Sequence, residues 1–114
     1  MQVQKINFTG YINDTIKKSK SKLKEESAKS EPNAQFIDFY SQRLAQYKEM
    51  EKERINLRVS DRTVNVIADS LHENFCKYDG CTYKAKNEKE TGFYLGKAIN
   101  IIKDMKEKGI DIIA

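Results

Sequence analysis

The order of apolar periodicities along this 114-residue chain predicts a small single α+β domain. It would hold a short sheet with two or three helices packed against it, and a lysine-rich, poorly ordered N-terminal segment. Three observations lead there. Residues 32–54 carry the longest amphipathic helical pattern in the sequence. The apolar period then shortens from about four to two at Ile55. Short alternating runs recur at residues 81–86 and 110–113, each after a turn or stop signal. On this reading residues 1–31 form an N-terminal strand and a basic helix or linker, and residues 32–114 form a compact α+β body.

Residues 1–11 mix apolar and polar positions, with Val3, Ile6 and Phe8 prominent and Gly10 as punctuation, which predicts a short strand on a sheet edge. In residues 12–31, Ile12, Ile16 and Leu23 offer one thin helical stripe. The lysines and serines between them bury little, so a frayed, solvated helix running into a linker is expected.

In the main helix Phe36, Tyr40, Leu44 and Tyr47 recur at spacings of four, four and three, the period of one helical face. Pro32 suits a first turn, where a missing N–H costs nothing, and Ser30 stands ahead of it as a cap. Beyond Met50 the run Glu51, Lys52, Glu53, Arg54 reads as the solvated end of the same helix. Ile55, Leu57 and Val59 then alternate with Asn56, Arg58 and Ser60, as in a strand with one apolar face.

Residues 60–77 admit two readings. Ser60 caps a single helix with the stripe Val64, Ile67, Leu71 and Phe75, or residues 63–67 form a returning strand and a helix starts at Ser70, where Glu73 completes a capping-box pattern. The completeness of the stripe favours the single helix. Tyr78, Asp79 and Gly80 mark a turn, and Cys81, Tyr83 and Ala85 alternate as a short strand. Asn87 with Glu90 opens a last helix whose buried stripe is Tyr94, Ala98, Ile101, Ile102 and Met105. Lys106, Lys108 and Gly109 mark its end, and residues 110–113 follow as a terminal strand.

One third of the residues are charged and 39% are hydrophobic, a soluble composition. No window approaches 18 apolar residues and the first twenty lack an apolar signal core, so neither membrane insertion nor secretion is expected and the cytoplasm is the default. In that compartment Cys76 and Cys81 are reduced thiols. Lysine far outnumbers arginine, and isoleucine and asparagine are abundant, the usage of an AT-rich bacterial or phage genome. The positive charge is local: residues 1–30 hold seven lysines against Asp14, Glu25 and Glu26, while the remainder balances fourteen basic with fourteen acidic side chains. The basic pI of the whole chain is thus a property of its N-terminal segment.

His72, Cys76 and Cys81 form the sole cluster of metal-capable types. A structural zinc needs four ligands, commonly two spaced pairs, and here a C-x₄-C pair has one upstream histidine and at best Asp69 or Asp79 beside it. The plainer reading is preferred: Cys76 is a small buried hydrophobe beside Phe75, and His72 faces solvent. No metal or cofactor is expected. A cysteine nucleophile would need a base and an orienting group converging on it, and no glycine-rich phosphate loop follows any predicted strand, so no enzymatic activity is expected. Gly92 and Gly96, four apart in the last helix, imply close packing there or a helix that begins later, near Phe93.

Lys17, Lys18, Lys20, Lys22 and Lys24 are the one biased run able to contact nucleic acid or an acidic partner; the plain alternative is a solvating segment. Phe39, Tyr78 and Tyr83 lie beyond the predicted core stripes and are candidate interface aromatics. The leading functional expectation is a small non-enzymatic accessory protein, of bacterial or phage type, that acts by protein–protein binding as an adaptor or inhibitor. The alternative is sequence-nonspecific nucleic-acid binding through the five lysines. A third reading is a homo-oligomer closed through the helix of residues 32–54.

Overall fold

A computed structural model describes residues 10–79, 88–110 and 112, and these form four helices in sequence. They are α1 (Tyr11–Ser27), α2 (Ala34–Asn56), α3 (Asp61–Asp79) and α4 (Glu88–Glu107). Among the described residues there is no strand, so the α+β expectation and its sheet are overturned: the described residues form an all-helical fold. Two helical hairpins make up the fold. α1 packs along α2 and α3 along α4, and the hairpins meet chiefly where α2 lies against α4.

α1 corrects the expectation of a poorly ordered N-terminal segment. Gly10, in the left-handed region with φ 73°, precedes it, and its carbonyl accepts from the Asp14 amide at 3.0 Å. The buried stripe is Ile12, Thr15, Ser19 and Glu26. Ile16 is only half-buried against the core, so a hydrophobicity scan sees half of the stripe that packs. The small Thr15 and Ser19 suit a seam where two helix backbones come close, because interaxial distance follows side-chain size at the contact. At the far end the Glu26 carboxylate accepts from the Asn33 amide at 2.9 Å and pairs with Lys29 at 2.7 Å, which ties α1 to the start of α2.

The cap of α2 is Asn33, three residues past the expected Ser30, and Pro32 precedes the helix where it was expected in the first turn. The Asn33 side chain accepts from the amides of Gln35 (3.0 Å) and Phe36 (3.2 Å), satisfying two donors the helix leaves open. At the other end lies the reason the predicted strand at residues 55–59 does not form. Arg58 adopts φ 56°, the Val59 amide bonds back to the Arg54 carbonyl (3.2 Å), and the Arg58 amide bonds to that of Ile55 (3.0 Å). That pair of bonds is a Schellman stop. The apolar alternation at Ile55, Leu57 and Val59 therefore belongs to a helix end, with Ile55 exposed and Val59 buried.

Residues 61–79 are the single helix α3. The Ser60 hydroxyl accepts from the Thr63 amide at 3.1 Å and so caps it. Val64, Ala68 and His72 are buried, and Ile67 and Leu71 are half-buried against the core. α4 buries Tyr94, Leu95, Ala98, Ile99 and Ile102. It stops by the same device as α2: Gly109 at φ 79°, with the Ile110 amide on the Met105 carbonyl (2.9 Å) and the Gly109 amide on that of Lys106 (3.1 Å). Of the remaining expected strands, residues 1–9 and 80–87 lie outside the described residues. Ile110 and Ile112 have no regular structure, and Ile112 rests half-buried on the core.

Candidate functional site

The five lysines sit on an ordered helix, which divides them. Lys17, Lys20 and Lys24 are exposed at i, i+3 and i+7, opposite the stripe of Ile12, Thr15 and Ser19. Lys18 and Lys22 lie on the flank, Lys22 half-buried. Phe39 is 49% exposed and stands edge-on to Tyr40 at 5.0 Å, and Tyr40 in turn packs on Phe36 at 4.6 Å. This aromatic step occupies the first half of α2. Cys81 and Tyr83 lie outside the described residues, as do the side chains of Cys76 and Tyr78 in α3.

His72 contradicts the solvent-facing reading. It is 1% exposed, its ring meets Tyr94 edge-on at 5.2 Å, and Nε2 lies 4.0 Å from the Glu90 carboxylate. The imidazole is thus a packing piece between α3 and α4 with a carboxylate at its rim. Among the described residues no group of three or more His, Cys, Asp or Glu side chains is placed to hold a metal ion.

Where the hairpins join, Arg54 donates to the Val59 carbonyl at 2.8 Å and forms a two-point pair with Glu51. Burial pushes the nearby Asp61 carboxyl above its ordinary range, and the charges of Glu51 and Asp14 add to this while Arg54 opposes it. The Asn65 amide offsets part of the rise, although its hydrogen bond at 2.7 Å goes to the Asp61 carbonyl. At the α1–α2 turn the reverse holds: the hydrogen bond from Lys29, with help from the Asn33 amide, holds Glu26 below the usual carboxylate range.

The feature the sequence did not single out is a groove between α2 and α4 of about 300 Å³. Glu49, Met50 and Glu53 line it from α2, and Gly96, Ile99 and Asn100 from α4. Gln46 closes one end, lying against Gly92, where an added Cβ would come 2.9 Å from its amide nitrogen. One turn on, the helices leave room. A Cβ on Gly96 would find nothing nearer than the Met50 methyl at 4.0 Å. α4 begins at Glu88, so both glycines are interior and the later start near Phe93 is ruled out. Phe93, 55% exposed with the Lys97 ammonium 4.9 Å from its ring centre, stands seven residues from Asn100 and so on the same helical face. The glycine pair was the one sequence signal able to locate this groove.

No protein family, no characterised protein and no solved structure matches this chain.

Proposed function

We propose that this chain is a small non-enzymatic cytoplasmic accessory protein that binds another protein through the α2/α4 groove, as an adaptor or inhibitor. The observation that supports the reading is Gly96. Glycine in a helix interior costs about 1 kcal/mol relative to alanine, and here an alanine methyl would meet only ordinary contact. Close packing of the chain on itself therefore does not account for glycine at this position, whereas an open groove floor does. The apolar lining and the exposed Phe93 nearby are of the kind that anchors protein interfaces.

Affinity capture from host extract with the full chain, run beside Gly96→Leu, tests the reading. A stoichiometric partner held by the wild type and lost on filling the groove is the expected result. Absence of any such partner would sink it.

A second reading rests on the exposed stripe of Lys17, Lys20 and Lys24. Such a stripe would hold phosphates by charge alone, without the bidentate forks that read bases. Fluorescence anisotropy with single- and double-stranded DNA and RNA over a salt series decides it: binding should fall steeply with salt and vanish when the three lysines become glutamine.

A further inference from the structure

We infer that the occupant of the α2/α4 groove is a basic amphipathic segment of another protein, with one apolar side chain seated over Met50 and Gly96 and Lys or Arg residues paired with Glu49 and Glu53. This rests on the protein-binding reading above and specifies the partner's chemistry.

Size limits the occupant first. At about 300 Å³ the groove sits at the lower end of the roughly 300–1,000 Å³ typical of small-molecule sites. It is open along its length, so it holds one or two side chains of a longer ligand better than a whole cofactor. The floor is apolar, made by Met50, Ile99 and the bare backbone at Gly96. An apolar anchor is what such a floor rewards.

Charge limits it next. The chain as a whole carries +4, yet the groove lining holds two carboxylates and no cation. Glu49 and Glu53 are one helical turn apart on the α2 rim, about 6 Å along the axis. That spacing suits cations at i and i+4 of a helix laid alongside, in the helix-in-groove mode that reads a partner by its anchors and flanking charges. An acidic peptide or a phosphate backbone meets like charge there. A second copy also carries exposed cations on α2, α3 and α4, among them Lys52, Arg62 and Lys97, and is the competing occupant that the test separates.

The test uses the full chain and two fluorescein-labelled peptides of amphipathic helical pattern, one of leucine and lysine and one of leucine and glutamate, followed by anisotropy at physiological and high salt. The lysine peptide should bind and the glutamate peptide should not. Glu49→Lys with Glu53→Lys should weaken the lysine peptide by about tenfold or more and reverse the preference between the two. Gly96→Leu should weaken it by a similar factor, and Gly96→Ala by less. Both glutamates stand at the groove rim, so the double charge reversal should leave circular dichroism and melting unchanged, which separates lost binding from lost fold.

The inference is overturned if both peptides bind equally, if neither binds, or if the lysine peptide is indifferent to the glutamate and glycine changes. It is also overturned if light scattering shows the wild type self-associating through a contact that Gly96→Leu abolishes, since the occupant is then a second copy. A captured partner that is lost with Gly96→Leu but insensitive to the double charge reversal overturns the basic-segment assignment alone and leaves the protein-binding reading standing. A capture that finds no partner removes that reading itself.

Discussion

The two hairpins solve the same packing problem with different materials. α3 and α4 meet through Val64, Ala68, Leu95, Ala98 and Ile102, aliphatic side chains that are fully buried. α1 meets α2 through Thr15 and Ser19 on one side and Arg43 and Tyr47 on the other, with the Arg43 guanidinium stacked 4.9 Å over the Tyr47 ring and donating to the Tyr11 hydroxyl at 3.1 Å. The second hairpin draws its stability from apolar area removed from water. The first relies on small side chains that allow close approach and on the contacts of Arg43 with Tyr11 and Tyr47 along the seam. Low hydrophobicity and low order are therefore separate properties, and α1 has the first without the second.

Substitutions that act on one hairpin and spare the other sharpen this contrast. The largest loss is expected from Leu95→Ala or Ile102→Ala, each removing a fully buried side chain, at about 2–5 kcal/mol by urea unfolding. In the α1 seam the cost should come from added bulk. Ser19→Leu should destabilise by about 1–3 kcal/mol through overpacking. Ser19→Ala should be neutral or slightly stabilising, because the Ser19 hydroxyl is buried with no hydrogen-bond partner among the described residues. If Ser19→Ala cost as much as Leu95→Ala, the contrast between the hairpins would fail.

A smaller gain is expected at the joint between them. Arg58 holds a left-handed conformation that glycine adopts freely, so Arg58→Gly should stabilise by about 0.5–1 kcal/mol in the same assay. Gly109 already occupies the equivalent position after α4 and serves as the internal comparison.

The smallest effects are set by pH, with opposite signs in the two hairpins. Glu26 has its pKa lowered by folding, so its contribution is present above its unfolded value and is lost as pH falls through the folded one. Glu26→Gln should lower the melting temperature at neutral pH and make no difference in acid. Asp61 has its pKa raised, so its ionised form opposes folding once pH exceeds its unfolded value. Asp61→Asn should raise the melting temperature at neutral pH, and the gain should vanish as pH falls below the ordinary carboxylate range. Thermal melts of both variants across pH check the pair together.

The legibility of the fold follows the same division. The stripes of α3 and α4 could be read where aliphatic and aromatic residues mark buried positions, as at Val64, Tyr94, Ala98 and Ile102, although Ile101 is exposed. In α2 only Tyr47 of the expected four is fully buried, and the long Arg43 beside it carries no apolar signal. The stop after α4 could be read because glycine marks it. α1 could not, because Thr15 and Ser19 are buried for their size and carry no apolar signal. The stop after α2 was hidden by arginine in place of glycine, and the alternation of Ile55, Leu57 and Val59 around it imitated a strand. That misreading supplied one of the expected strands; the others rested on the alternating runs at residues 81–86 and 110–113 and on the apolar positions of residues 1–11. His72 was misplaced because a histidine between Leu71 and Glu73 gives no sign of the Tyr94 ring that packs against it. At the groove, the Gly92 and Gly96 spacing showed that something was unusual in α4. It could not show which helix would face it, since Met50 and Glu53 come from a distant part of the chain, in α2.

The walls of the groove come from different hairpins, Glu49, Met50 and Glu53 from the first and Gly96, Ile99 and Asn100 from the second. Whatever seats there clasps the two halves together, and its binding free energy adds to their cohesion by RT ln(1 + [L]/Kd) if the unfolded chain does not bind it. The protein is thereby its own reporter: a ligand of the groove should announce itself as a rise in melting temperature that scales with the logarithm of its concentration, before its identity is known.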